Sequence, residues 1–324
     1  MNRRKTAAVI AISACALVIA LLGANAQTPK SFRIGTGNTA GTYFPIAEIV
    51  AKSVSGSGNL KLEALTSNGS VSNVEAIISG KLESGFSQSD IAFWAYTATG
   101  VFEGKPRAQE LRAIANLYPE SVHLVARKGS GISTVADLAG KRVSLDEPGS
   151  GTLVDARIIL DAWSIKESDL RPLYLKPNQA AEKMKDGSVD AFFFVGGYPT
   201  AAISELVASG PGIDLVPIDG PNAEKIRGDY KFFARDDIPA NTYKGVDAAR
   251  TLSVGAQWVT SAKVDPEVIY EVAKGLWAER TRRALAVGHA KGKMIAADTA
   301  LIGIGIPLHP GAERFYREAG MLTQ

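Results

Sequence analysis

Phe32-Arg33-Ile34-Gly35-Thr36-Gly37-Asn38-Thr39-Ala40-Gly41-Thr42-Tyr43 reads as a short strand, a loop of glycine and hydroxyl residues, and the opening of a helix. Pro45 suits a first helical turn, where its missing N–H would have no partner anyway. Behind it Ile46, Ile49, Val50 and Val54 recur at helical spacing, with Glu48 and Lys52 four apart on the outside. A strand that feeds a helix through such a loop is the repeating unit of α/β folds.

The unit recurs along the chain. Leu60 to Thr66 alternates like a strand, and Ser70 is placed to cap a helix with Val71, Val74 and Ile78 inward and Gly80 closing it. Ser84 to Ser87 predicts a strand, and Gln88-Ser89-Asp90 a cap for the segment containing Trp94. Arg112 to Leu117 and Ser121 to Ala126 read as two strands separated by Tyr118-Pro119-Glu120. A second run follows: a short helix over Val135 to Gly140, a strand over Lys141 to Asp146, then Glu147-Pro148-Gly149-Ser150-Gly151-Thr152 opening a helix with Leu153, Ala156, Ile159 and Trp163 on one stripe. Asn178 is placed to cap a helix through Met184, and Val189 to Val195 reads as a buried strand. Gly196-Gly197-Tyr198-Pro199 turns into a helix ending near Gly210. Residues 211–248, rich in Pro, Gly and Asp, read as mostly irregular; Leu252 to Val259 is a strand, and helices from Asp265 onward end with one beginning at Pro310. The pattern predicts two α/β lobes. Residues 27–120 form the first, 121–250 the second, and 251–324 return to the first. The strands near Ser121 to Ala126 and Leu252 to Val259 then serve as a hinge, with a cleft between the lobes, where small-molecule sites tend to occur.

The first 26 residues read as a signal peptide. Arg3, Arg4 and Lys5 are followed by an apolar run from Ala7 to Gly23 and by small residues at Ala24-Asn25-Ala26, with cleavage expected after Ala26. A permanent anchor would call for a charged stop-transfer cluster, which does not follow, and a lipoprotein cut at Cys15 would leave Ala16 to Gly23 as an apolar stub. The predicted location is the periplasm. Without those three basic residues the chain has 33 basic and 33 acidic side chains, so its basic pI belongs to the leader and nothing resembles a nucleic-acid footprint. Cys15 is the only cysteine, which excludes disulfides, Cys–zinc sites and thiol nucleophiles from the mature chain.

Three loops share one design: Gly35 to Tyr43, Asn68-Gly69-Ser70 and Gly149 to Thr152. Helix N-termini present unpaired N–H groups and a partial positive charge, glycines admit a ligand to the backbone, and hydroxyls add donors. Each alone reads more readily as an ordinary cap; together, split between the lobes, they point to an anion held in the cleft. Tyr43, Phe194 and Tyr198 are placed to cover a ligand's carbon chain, while Phe192 and Phe193 read as core. Gly35, Gly37 and Gly41 miss the dinucleotide fingerprint by one residue. His123, His289 and His309 lack metal-type spacing, and Ser150 lacks the nucleophile-elbow pattern. No enzyme, cofactor or metal is expected.

The chain resembles the TAXI family, substrate-binding proteins of tripartite ATP-independent periplasmic (TRAP) transporters. The resemblance is carried by Ile34 to Gly37 with Gly41 to Tyr43, by Asn68 to Val71, Gln88 to Asp90, Leu117 to Glu120, Val135 to Lys141, Pro148 to Thr152 and His309 to Ala312. It implies a two-lobed, type II-like periplasmic binding protein with a hinge and interlobe cleft, taking glutamate, glutamine or a dicarboxylate such as 2-oxoglutarate and delivering it to TRAP permease subunits. Carried over, the ligand loops are Thr36, Asn38, Thr39, Tyr43, Gln88, Ser89, Ser150, Gly151, Thr152 and Tyr198; Ser70 and Phe194 join them from the reading of the loops and strand ends. Asn68-Gly69-Ser70 departs from the family's frequent Gly-Gly-Ser. A monomer is expected. The residues leave open a receptor of the same fold for an ABC transporter, a module for a membrane sensor kinase, and a periplasmic enzyme.

Overall fold

The computed structural model describes residues 30–55 and 60–322. The expected signal peptide, its cut after Ala26 and Cys15 lie outside them. Among the described residues ten strands form one connected sheet. In chain order they are β1 (Lys30–Gly35), β2 (Leu60–Leu65), β3 (Ser84–Gln88), β4 (Leu111–Arg127), β5 (Arg142–Ser144), β6 (Arg171–Leu173), β7 (Ala191–Gly196), β8 (Ile213–Leu215), β9 (Ala234–Ile238) and β10 (Ala249–Ser261). Their order across the sheet is β2-β1-β3-β10-β4-β7-β5-β6, with β8 on β4 and β9 on β10. At one end β1 is parallel to β2 and β3; at the other, β5 is parallel to β6 and β7. The fold is the two-lobed α/β fold of periplasmic binding proteins.

β4 and β10 join the two ends. They pair antiparallel from Leu111 opposite Ser261 to Ser121 opposite Ser253. Beyond that point β4 turns to β7, from Ser121 opposite Gly196 to Ala126 opposite Ala191, while the first residues of β10 pair with β9. The expected break at Tyr118-Pro119-Glu120 does not occur. A proline cannot donate to a ladder, yet here Pro119 sits opposite Gly255, whose own N–H leaves the ladder for the Ser89 hydroxyl at 3.3 Å. Two register shifts follow in β10, at Ala256/Gln257 and Trp258/Val259.

Each end of the sheet is covered on both faces. In the first lobe, helices α1 (Tyr43–Val54), α8 (Pro266–Trp277), α9 (Glu279–Gly288) and α10 (Pro310–Glu318) pack over one face. They bring Ile46, Val50, Leu276 and Tyr316 against Phe32, Phe86 and Trp258. On the other face α2 (Ser70–Ile78) and α3 (Ser89–Thr97) supply Val74, Ile77, Ile91 and Trp94. In the second lobe α4 (Gly151–Ala162) and α7 (Gly220–Asp229) cover one face, and α5 (Pro177–Lys185) and α6 (Ala201–Ser209) the other. Alternation along β7 sends Phe193 into the first of these cores and Phe192 and Phe194 into the second. The segment 211–248 holds β8, α7 and β9 rather than irregular chain. Two expected caps also differ. Ser70 is the first residue of α2, behind Gly69, and its hydroxyl accepts from Gln88 N instead. Asn178 lies inside α5, which begins at Pro177 with Lys176 as its cap residue. No helix among the described residues is long and apolar enough to cross a membrane.

Candidate functional site

Between the lobes lies a cavity of about 60 Å³, walled by the ends of β1, β3, β5 and β7 and the starts of α1, α2 and α4. Strand ends that hand over to helices converge here, so the helix N-termini point their free N–H groups inward. Asn38, Tyr43, Ser70, Gln88, Ser150, Gly151, Thr152 and Phe194 line it. Thr36, Thr39, Ser89 and Tyr198 do not. The Thr36 hydroxyl donates to Leu65 O at 2.7 Å, which ties the first loop to β2. Thr39 is exposed. Ser89 lines a separate cavity of about 420 Å³ beside β4 and β10. Tyr198 is half-buried, donates to Asp237 O, and carries the Lys291 ammonium 3.6 Å above its ring.

The unforeseen part of the site is acidic. Glu120 and Asp146 line the cavity, 2% and 6% exposed. The Tyr43 hydroxyl donates to Glu120 Oε2 at 2.6 Å and faces the Ser70 hydroxyl at 3.3 Å. Thr152 accepts from Val195 N at 3.1 Å, and Ser150 caps α4 by accepting from Leu153 N at 3.1 Å; both hydroxyls also draw the Asp146 carboxyl partly back toward ionisation. Thus the hydroxyls expected to hold a ligand anion hold the chain's own carboxyls. Burial pushes Glu120 up to about 8, against the pull of the Tyr43 hydroxyl, and Asp146 up to about 7. Glu147, at the rim, is raised by burial and partly restored by Lys176, 3.6 Å away. Lys291 is the only buried lysine or arginine among the described residues, and it finds no hydrogen-bond partner.

Contacts across the cleft are close. The Thr42 hydroxyl donates to Gly197 O at 2.6 Å, the Thr200 hydroxyl to Ala40 O at 2.6 Å, and Ser72 N to Gly149 O at 3.0 Å. Asn38 donates to Asn178 at 3.1 Å. Gln88 Nε2 donates to Asp155 Oδ2 at 2.5 Å, and a Cβ on Gly151 would fall 1.2 Å from Gln88 Oε1. A side chain at 151 fits only if Gln88 leaves this position. His123, fully buried beside Phe194, is pushed down to about 4 by burial and bonds Ser121 O and the Tyr243 hydroxyl. It is a neutral core histidine. Among the described residues no group of three or more His, Cys, Asp or Glu is arranged to hold a metal. In the sequence reading Glu120 falls in the break between two strands and Asp146 at a strand end, and neither carries the mark of a site.

The chain belongs to the NMT1-like family, whose pattern it matches over residues 34–320. A putative aliphatic sulfonates-binding protein of Escherichia coli K12 is 32% identical over 85 residues, 26% of each chain, so the match spans about a quarter of that relative's length. Among solved structures, a protein of Bordetella bronchiseptica RB50 superposes with a TM-score of 0.54 at 15% identity, over 90% of this chain and 82% of that one. A binding protein component of an ABC phosphonate transporter from Pseudomonas aeruginosa superposes with a TM-score of 0.50 at 12% identity, over 80% of this chain and 79% of that one. These likenesses are of fold.

Proposed function

We propose that this chain is a periplasmic solute-binding protein that closes its two lobes over a small acid and hands it to a membrane permease. The observation that carries the reading is the convergence of helix N-termini and hydroxyl residues from both lobes on one cavity, at the crossing of β4 and β10. The NMT1-like family membership and the binding proteins named among the relatives support it. The cavity is far below the ~300–1,000 Å³ of a ligand pocket, so capture requires the lobes to part and close again.

The hinge of this reading is the stretch where the two long strands exchange partners. β4 passes from β10 to β7 at Ser121, and β10 passes from β9 toward β3 between Ser253 and Ala256. Pro119 and Gly255 leave the ladder thinnest there. Lobe limits at 27–120, 121–250 and 251–324 accordingly stand as the proposed division. The binding proteins named among the relatives support a role in binding rather than turnover, by a monomer without cofactor.

The ligand is a small carboxylate of the glutamate, glutamine or 2-oxoglutarate kind, or a sulfonate or phosphonate of the kind named for the relatives. Glu120 and Asp146, raised toward neutrality, can each offer a proton to such an anion. For the permease, the relatives' names support an ABC-type transporter better than the TRAP type implied by the motifs from Ile34 to Ala312. A sensor kinase is a further possible recipient of the same closed form. The test is calorimetric titration and small-angle scattering with glutamate, 2-oxoglutarate, succinate, ethanesulfonate and methylphosphonate. One of these acids should bind and shrink the radius of gyration. Binding of a neutral sugar with none of the acids would overturn the ligand class, and an unchanged radius at saturation would overturn closure. Uptake in reconstituted vesicles that needs ATP assigns an ABC partner; uptake that needs only an ion gradient assigns a TRAP partner.

A further inference from the structure

Behind the cavity a second pair of acids faces across the cleft. Asp90, on α3 of the first lobe, and Asp155, on α4 of the second, are both 0% exposed, and each carboxyl acts on the titration of the other. Gln88 Nε2 donates to Asp155 Oδ2 at 2.5 Å, from the end of β3. By geometry neither oxygen of Asp90 nor Asp155 Oδ1 receives an N–H or O–H group of the protein, although the backbone amides at the start of α3 draw Asp90 partly back toward ionisation. Two neighbouring buried carboxyls with three oxygens unpartnered do not both ionise; one must carry a proton. The charged surroundings make that requirement stricter. Glu120, from β4, is a third buried acid acting on the pair, its own bond coming from Tyr43 on α1. The nearest buried cation, Lys291, acts on Glu120.

We infer that the Asp90–Asp155 contact is a proton-binding site assembled only when the lobes close, so that closing takes up a proton. The inference rests on the reading that the lobes open and close. In the open form each carboxyl meets water and ionises near its ordinary value of ~4. In the closed form the pair holds its proton more tightly, since burial and the facing acid both disfavour charge. The sign follows from linkage: the closed form gains fully below the ordinary carboxylate range, and the gain is lost as pH rises through the raised closed-form value. With one proton linked, closure weakens up to about tenfold per pH unit within that window. Asp90 lies in the run Gln88-Ser89-Asp90 and Asp155 one turn into α4, so the two loops that meet the cavity also carry the two halves of the proton site.

Asp155→Asn replaces the proton permanently: its amide oxygen still accepts from Gln88 and its N–H donates to Asp90. The primary experiment needs no ligand. Small-angle scattering at pH 5 and pH 8 should give wild type a smaller radius of gyration at pH 5, and Asp155→Asn the same compact value at both. Asp90→Asn should behave likewise, and thermal melts check that each variant folds. Titration with 2-oxoglutarate at pH 7, in phosphate and in Tris, should then show wild type taking up about one proton more than Asp155→Asn. If 2-oxoglutarate does not bind, the scattering alone decides the proton site. A wild-type radius that ignores pH, or a variant that follows wild type in pH dependence and proton uptake, overturns the proton site.

Discussion

Replacing Gly151 with alanine puts a single methyl group where the two lobes touch. The added Cβ would lie 1.2 Å from Gln88 Oε1, 2.5 Å from its Cδ and 3.0 Å from the Ser70 hydroxyl. The first two atoms are the end of a flexible side chain, so Gln88 can swing aside, but only by giving up its bond to Asp155. A hydrogen bond to an acidic partner is worth about 1.5–3 kcal/mol. That loss falls on the closed form alone, and corresponds to roughly 10- to 150-fold weaker ligand binding. The helix itself does not suffer, because alanine is favoured over glycine in helices by ~1 kcal/mol. Affinity should therefore drop while the unliganded melting temperature holds or rises slightly. Calorimetric titration with the acid that binds wild type best, beside a melt of each protein without ligand, separates the two effects. Gly151→Ala binding as tightly as wild type would refute the argument, since closure would then not need the contact between Gln88 and α4. A melting temperature several degrees lower would refute it differently, by showing that the methyl group damages the lobe rather than the cleft.

Two further substitutions test the lobes themselves. Asp190 accepts from Arg142 Nη2 at 2.6 Å, Nε at 2.9 Å and N at 3.0 Å, and from Arg127 Nη2 at 3.1 Å. The Arg142 side chain holds its carboxyl far below the usual range, so its contribution is present above the unfolded value of ~4 and lost as pH falls. Asp190→Asn should cost about 1–3 kcal/mol at pH 7 and progressively less below ~pH 4, as read from urea melts at several pH values. His309, fully buried and held neutral by burial, accepts from Gly311 N at 3.1 Å to cap α10 and bonds Val264 O at 3.1 Å through its other nitrogen. His309→Ala should cost roughly 1–3 kcal/mol, visible in a thermal melt, with ligand affinity at 25 °C unchanged.

The α/β units were legible wherever glycine and hydroxyl residues separate a strand from a helix with a strong apolar stripe, as at Gly35 to Tyr43 and Gly149 to Thr152. Pro119 misled because a proline normally interrupts a ladder; only the tertiary partner Gly255, with its N–H turned to Ser89, lets β4 run through. Helix α7 was missed because it buries only Ala223 and Ile226, too few to set a period. The acids were illegible for a deeper reason. Glu120, Asp146, Asp90 and Asp155 are separated along the chain, and their burial exists only where the lobes meet. Loops read from sequence as donors awaiting an anion turn out to face the chain's own acids, Tyr43 bonding Glu120 and Ser150 and Thr152 lying against Asp146. A solute acid entering this cleft must therefore share those hydroxyls with carboxyls that burial has made reluctant to ionise. The less costly arrangement is for Glu120 and Asp146 to keep their protons and donate them to the solute, because two adjacent anions in a dry cleft repel strongly. Proton affinity and solute affinity then rise together in the closed form. Under the proposed function, the cleft would distinguish small acids by whether they can accept a proton bond at two places at once, one beside Tyr43 and Ser70 and the other beside Ser150 and Thr152.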